Sequence, residues 1–200
     1  MPARTPAPHE TLRLFIALWP DAATRAWLDA RDAAISWPRG AAREPEARRH
    51  LTLHFLGAVA RAQVAELMPA LQQPFDAFEL ELDRVVAWPR GLVVAEPAHV
   101  PAALNALHAA LGAALQRAGQ RVETRAFRPH VTMARRAAGA LWPAAATAQR
   151  WQVSAFALVA SAGGVYRNLA LYPGGVFSGS SADPAPATAR SRPARRPTPG

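Results

Sequence analysis

The chain has 200 residues, half of them apolar, enough to bury the core of one enzyme-sized domain. It has no cysteine, which excludes disulfides, thiol catalysis and a thiolate zinc site. No apolar run approaches the roughly 18–20 residues of a spanning helix and residues 1–8 lack the apolar heart of a signal peptide, so a cytoplasmic protein with no membrane partner is expected. All 23 basic residues are arginine, and the formal net charge is +9; this suits a polyanion such as RNA, but an arginine-biased composition gives the same figure, so charge alone assigns no partner.

Residues 1–10 read as a Pro-rich leader. Arg13–Leu18 is a short apolar run closed by Trp19-Pro20, as in a buried strand, and Asp21 is placed to cap a helix over 22–35. Trp37-Pro-Arg-Gly40 opens a polar loop that runs to Arg49. Residues 50–56 alternate, with His50, Thr52 and His54 on one face and Leu51, Leu53 and Phe55 on the core face. Gly57 ends that strand, and a helix follows over 60–71. Residues 75–87 alternate as one strand, turn at Trp88-Pro-Arg-Gly91 and return through 92–95. Pro101 suits the first turn of a helix whose stripe Leu104, Leu107, Leu111 and Leu115 runs to Gly119. Residues 130–134 form a short strand entered by Arg128-Pro129, and 151–160 and 166–171 read as two closing strands around Gly163-Gly164. Residues 178–200 hold nothing to bury and read as a disordered tail. One domain over 11–177 remains. Its strands and helices lack a steady βαβ rhythm, which predicts an α+β fold with mainly antiparallel sheet.

One local pattern occurs twice. His50-Leu51-Thr52-Leu53 and His130-Val131-Thr132-Met133 are each His, aliphatic, Thr, apolar, and each lies in an expected strand. The His and Thr of a copy therefore project from one face, about 6.5–7 Å apart, while the aliphatic spacer points inward. A single His-x-Thr is unremarkable in a half-buried strand; two copies with matching spacers are not. Opening a cyclic phosphodiester needs one proton taken from the attacking water and one given to the departing oxygen. Imidazoles on opposite sides of one phosphorus can do both near neutral pH. Threonine hydroxyls are short donors for the non-bridging oxygens, and the arrangement requires no metal and no cofactor.

With the double motif in place, the chain resembles the two-histidine phosphoesterase superfamily, and within it the LigT-like RNA 2′,3′-cyclic phosphodiesterases. The match rests on Arg13-Leu-Phe-Ile-Ala-Leu18, His50-Leu-Thr-Leu-His-Phe-Leu-Gly57, Arg128-Pro-His-Val-Thr-Met-Ala-Arg135 and the stretch from Ser161 to Tyr166, spanning roughly residues 11–173. The resemblance implies a two-lobed, pseudo-symmetric α+β fold, each lobe a mainly antiparallel sheet with helices outside, around a central cleft. It implies metal-independent hydrolysis of an RNA or nucleotide 2′,3′-cyclic phosphate to the 2′-phosphomonoester, a step of RNA processing. His50 and His130 are then the acid–base pair, with neither role assigned, and Thr52 and Thr132 hold the phosphate. Some relatives act on 2′–5′ linkages, so a ligase-like reverse reaction belongs to the same expectation.

Three further residues are candidates for substrate contact. Arg135 follows the second strand and suits a phosphate clamp. His54 shares the expected face of His50 and Thr52, a departure from the family's usual residue there. Tyr166, with Arg167 beside it, is a candidate for the cleft rim. Phe55 falls on the expected core face, which argues against stacking on a base. Competing readings are an enzyme of another cyclic or 2′–5′ linked nucleotide and a non-catalytic RNA-binding module; two intact His-x-Thr pairs weigh against the latter. A monomer is the default expectation.

Overall fold

The apolar run at Arg13 belongs to strand β1 (Thr11–Leu18), and Asp21 caps helix α1 (Ala22–Ala34), its carboxylate accepting the Thr24 N–H at 2.7 Å. The computed structural model describes residues 11–143 and 147–175; the leader assigned to 1–10 and the tail assigned to 178–200 lie outside the described residues. The remaining elements are β2 (Ala42–Arg43), β3 (Leu51–Ala60), α2 (Arg61–Ala70), β4 (Phe78–Leu82), β5 (Arg84–Trp88), β6 (Leu92–Glu96), α3 (Ala102–Arg117), β7 (Val131–Arg135), β8 (Gln149–Val153), β9 (Ala155–Ala162) and β10 (Val165–Pro173). The main sheet runs β10-β9-β1-β3-β7-β6-β5, antiparallel throughout, with β2 also on β7, while β4 and β8 pair as a separate ribbon. This is the expected α+β, mainly antiparallel architecture. Among the described residues no helix is long and apolar enough to cross a membrane.

Two expected single strands are each divided between the sheets. Residues 75–87 break at Asp83, where the buried phase Phe78, Leu80, Leu82 jumps to Val85, and the Asp83 carboxylate leaves the ladder to accept the Ala98 N–H at 2.7 Å. Residues 151–160 break at Ser154, between β8 in the ribbon and β9 in the main sheet. Neither break carries a glycine or proline, so local sequence does not mark it.

The principal core lies against one face of the main sheet. Leu14, Ile16 and Leu18 of β1, Leu51 and Leu53 of β3, and Val131 and Met133 of β7 meet the expected α3 stripe of Leu104, Leu107, Leu111 and Leu115. Each such leucine contributes roughly 1.5–3 kcal/mol of burial. On the other face a small cluster of Phe15, Ala17, Ala157 and Val159 packs with Trp19 and Tyr166, leaving room beside it for a cleft.

Three bulges set what faces that cleft. On β1, Ile16 pairs with His54 but Ala17 with Thr52, so Leu53 has no partner; Leu14 pairs with Gly57 but Phe15 with Phe55, so Leu56 has none. Gly57 has φ +73°, and the strand continues through it rather than ending. On β6, Val94 pairs with Thr132 but Val93 with Ala134, leaving Met133 over. An extra residue shifts the side-chain alternation by one. The expected faces of His54 and Phe55 are therefore exchanged: His54 turns into the core, 5% exposed, and Phe55 turns outward, 45% exposed. Under the sheet, His54 Nε2 donates to the His108 carbonyl at 2.8 Å, and the rings of His54, His108 and Phe127 stack at 4.1 and 4.0 Å. Gly112 of α3 makes the approach possible, since a Cβ there would lie 3.3 Å from the His54 ring.

The chain just before the first motif is bolted to α1. Arg49 is 5% exposed, pairs with Asp29 and with Asp32, which also holds Arg43, and donates to the Glu44 carbonyl at 3.1 Å. Removing one partner of a buried pair strands the other charge. We expect Arg49→Leu to lower unfolding stability in urea by about 3–5 kcal/mol, whereas Asp29→Asn, at the exposed end, costs about 1 kcal/mol or less.

Burial, and then the neighbouring His54, hold His108 down to about 4, and burial also lowers His54. Both are neutral in the fold, while the unfolded chain takes up their protons near the ordinary imidazole value. They thus leave stability unchanged above about pH 6.5 and weaken the fold as pH falls from there towards 4. We expect His108→Phe, which keeps a ring between His54 and Phe127, to flatten the stability–pH curve in that window and nowhere else.

Candidate active site

The two His-x-Thr copies meet across one strand pair. β3 and β7 run antiparallel and pair Leu51 with Val131, the two aliphatic spacers. The antiparallel sense sets His50 across from Thr132 and His130 across from Thr52, with the histidines diagonal, roughly 7–8 Å apart. All four side chains line one cleft of about 300 Å³, and Arg135 and Tyr166 line it as well. His54, placed in the core by the Leu53 bulge, does not, and neither does the exposed Arg167. Arg135 reaches the cleft because the Met133 bulge returns it to the Thr132 face.

Each imidazole is held by its own backbone. His50 Nδ1 lies 2.6 Å from the Arg48 carbonyl and His130 Nδ1 2.7 Å from the Arg128 carbonyl. A carbonyl only accepts, so Nδ1 carries the proton in both rings, and Nε2 is the nitrogen free to take or give one. The rings are wedged by aromatic neighbours, of which sequence reasoning had assigned only Tyr166 to the site. Phe15, Trp19 and Tyr166 surround His50 at 4.8, 5.5 and 5.5 Å between centroids, and Trp88 lies 4.5 Å from His130. A signal for two of them was present: Trp19 and Trp88 are each followed by proline at a strand end.

Electrostatically the halves differ. Burial pushes both histidines below the ordinary imidazole value, the bonds to Arg48 and Arg128 oppose this, and the Arg135 guanidinium adds to it. Glu96 acts on His130 alone, favouring its imidazolium; its carboxylate accepts the Trp88 indole N–H at 3.0 Å and pairs with Arg128 at 3.5 Å. Glu44 and Arg48, ion-paired at 3.0 Å, line the cleft near His50. At its outer end Arg13 sits 4.7 Å over the Phe55 ring. Among the described residues no group of three His, Asp or Glu side chains is placed to hold a metal ion. What the cleft offers is two Nε2 atoms, two hydroxyls and a guanidinium converging on a space the size of a phosphate ester.

Comparison with known proteins agrees with this geometry. The profile of the 2′-5′ RNA ligase superfamily matches residues 19–165. The structure is similar to Escherichia coli LigT in complex with 3′-AMP, at 27% identity and a TM-score of 0.74, covering 82% of this chain and 98% of that one. It is also similar to the TT0787 protein of Thermus thermophilus, at 25% identity and a TM-score of 0.68, covering 81% and 97%. The MHV ns2 PDE domain, at 14% identity and a TM-score of 0.54 over 74% and 99% of the two chains, shares the fold. No curated protein sequence matches the chain significantly. With the profile covering most of the chain, the protein belongs to the 2′-5′ RNA ligase superfamily, as a LigT-like two-histidine phosphoesterase.

Proposed function

We propose that this chain hydrolyses the 2′,3′-cyclic phosphate end of an RNA or nucleotide to the 2′-phosphomonoester, by acid–base catalysis at His50 and His130 without a metal. The observation that carries the reading is the pair of Nδ1-to-carbonyl bonds, which aim two Nε2 atoms at one cavity from opposite motifs. A water attacks phosphorus as one Nε2 takes its proton. The bond from phosphorus to O3′ breaks as the other Nε2–H delivers a proton to that oxygen, and the phosphate stays on O2′. Thr52 and Thr132 donate to the non-bridging oxygens, and Arg135 balances the charge that gathers there. His130, with Glu96 favouring its charged form, is the acid; His50, among aromatic rings, is the base. Phe55, exposed at the cleft beside Thr52, offers a ring face to the nucleobase. With a ribose 5′-hydroxyl attacking in place of water, the same steps join RNA ends through a 2′–5′ linkage, and run backwards they cleave it.

The test is hydrolysis of a nucleoside 2′,3′-cyclic phosphate with the products separated chromatographically. Wild type should yield the 2′-phosphate alone, and His50→Ala and His130→Ala should each lose about 10²–10⁴-fold in kcat. A 3′-phosphate product, or activity lost to a chelator and restored by metal, would overturn the scheme. The pH dependence of kcat/KM should be bell-shaped, with both limbs below their ordinary imidazole position because both rings are lowered. Glu96→Gln removes the charge that favours the His130 imidazolium, so it should move the alkaline limb to lower pH and leave the acid limb in place. Movement of the acid limb instead would reverse the two assignments.

A further inference from the structure

The tetrapeptide Trp-Pro-Arg-Gly occurs twice, at residues 37–40 and 88–91, and the fold brings both copies to the segment that leaves the second motif. Each is anchored by its indole and turns on its glycine. Trp37 donates to the Asp32 carbonyl and Trp88 to the Glu96 carboxylate, both at 3.0 Å, and Gly40 and Gly91 have φ of +82° and +68°. Gly40 O accepts from Arg136 Nε at 3.5 Å, and Gly91 O accepts from the Ala137 N–H at 2.8 Å. The second approach is close: a Cβ on Gly91 would lie 2.8 Å from the Ala138 nitrogen. Residues 135–138 are thus held between the two turns, and Arg39, Arg90 and Arg136 stand exposed around them, next in sequence to Arg135 of the cleft.

Two features set these arginines apart from a solvated surface. Among the described residues, Arg90 and Arg136 are the only non-glycine positions with positive φ, +64° and +52°. Backbone strain of that kind persists where the surroundings fix a residue in place, and it concentrates at binding sites. In addition, Arg39, Arg90, Arg135 and Arg136 take part in no ion pair among the described residues. The same holds for Arg117, Arg121 and Arg167 elsewhere on the surface, but these four are gathered by the two turns beside the cleft. Four guanidiniums without an ion-pair partner, grouped around residues 135–138, suit the repeating charge of a single nucleic-acid strand.

We infer that the two Trp-Pro-Arg-Gly turns and Arg136 form a phosphate-binding track for the RNA chain upstream of the end held in the cleft. The inference rests on the proposed phosphodiesterase reading and narrows its substrate to an oligonucleotide rather than a free nucleotide. The cleft holds the terminal cyclic phosphate; the track holds the phosphates that precede it and takes no part in the chemistry.

The test uses the full chain carrying Arg39→Gln, Arg90→Asn and Arg136→Asn, since asparagine tolerates positive φ and keeps the turns intact. Rates are measured on a nucleoside 2′,3′-cyclic phosphate and on an eight-nucleotide RNA with a 2′,3′-cyclic end. The variant should match wild type on the nucleoside, which also reports an intact fold, and lose about tenfold or more in kcat/KM on the oligomer. The slope of log affinity for the oligomer against log salt should fall by about two, from three lost contacts at roughly 0.7 each. Equal rates on the oligomer overturn the track. If wild type hydrolyses neither substrate, the phosphodiesterase reading fails on its own, and the track is judged by anisotropy on the same RNA bearing a plain 3′-hydroxyl. There, weaker binding by the variant upholds the track and unchanged binding overturns it.

Discussion

Everything in the cleft depends on a narrow joint in the sheet. β3 belongs by its pairing to β1, and β7 to β6, yet the two strands touch in register at Leu51 and Val131. Both spacers are fully buried in the core that α3 covers, so the joint is held from beneath by apolar contact rather than by a long ladder of hydrogen bonds. Because the paired residues are the middle members of the two motifs, neither motif can slide without moving the other: a one-residue slip would send one His-Thr pair into the core. The geometry of the cleft is thus a property of core packing, expressed one residue away on the opposite face.

The cleft is symmetric in its parts and asymmetric in its setting. His, Thr and the bulged residue recur on both strands, but the residue that the bulge returns to the cleft is Phe55 on one side and Arg135 on the other. Aromatic rings surround His50, while His130 has one tryptophan and a carboxylate behind it. The cleft is therefore apolar at one end and charged at the other. The symmetry supplies two similarly held imidazoles, and its breaking gives them different surroundings.

Much of this was legible in the chain. The four motif residues were found because two-residue alternation holds over His50–Thr52 and His130–Thr132, and α1 and α3 because Asp21 and the leucine stripe obey local rules. Residues past the bulges were misread at His54 and Phe55, since Leu53 is extra only relative to its partner β1, and pairing partners lie far off in sequence. Arg135 was singled out by its guanidinium and its place just past the second strand, with support from the family resemblance, not through its face. Asp83 and Ser154 escaped notice because their strands change sheets at a single polar residue, without a glycine or proline. Arg49 read as part of a polar loop, although it is the buried partner of α1, a relation that only the fold creates.

The bonds that fix the two imidazoles have a consequence for how such a site drifts. In many enzymes a carboxylate side chain sets the tautomer of the catalytic histidine, and one substitution removes it. Here the acceptors are the carbonyls of Arg48 and Arg128, groups that every residue type possesses. Point mutation at those two positions changes the side chain and leaves the lock, so the chemistry tolerates wide divergence in the sequence around it. The vulnerability moves to insertions and deletions: a single residue gained or lost between positions 48 and 50, or between 128 and 130, would misplace the acceptor while leaving both histidines and both threonines present.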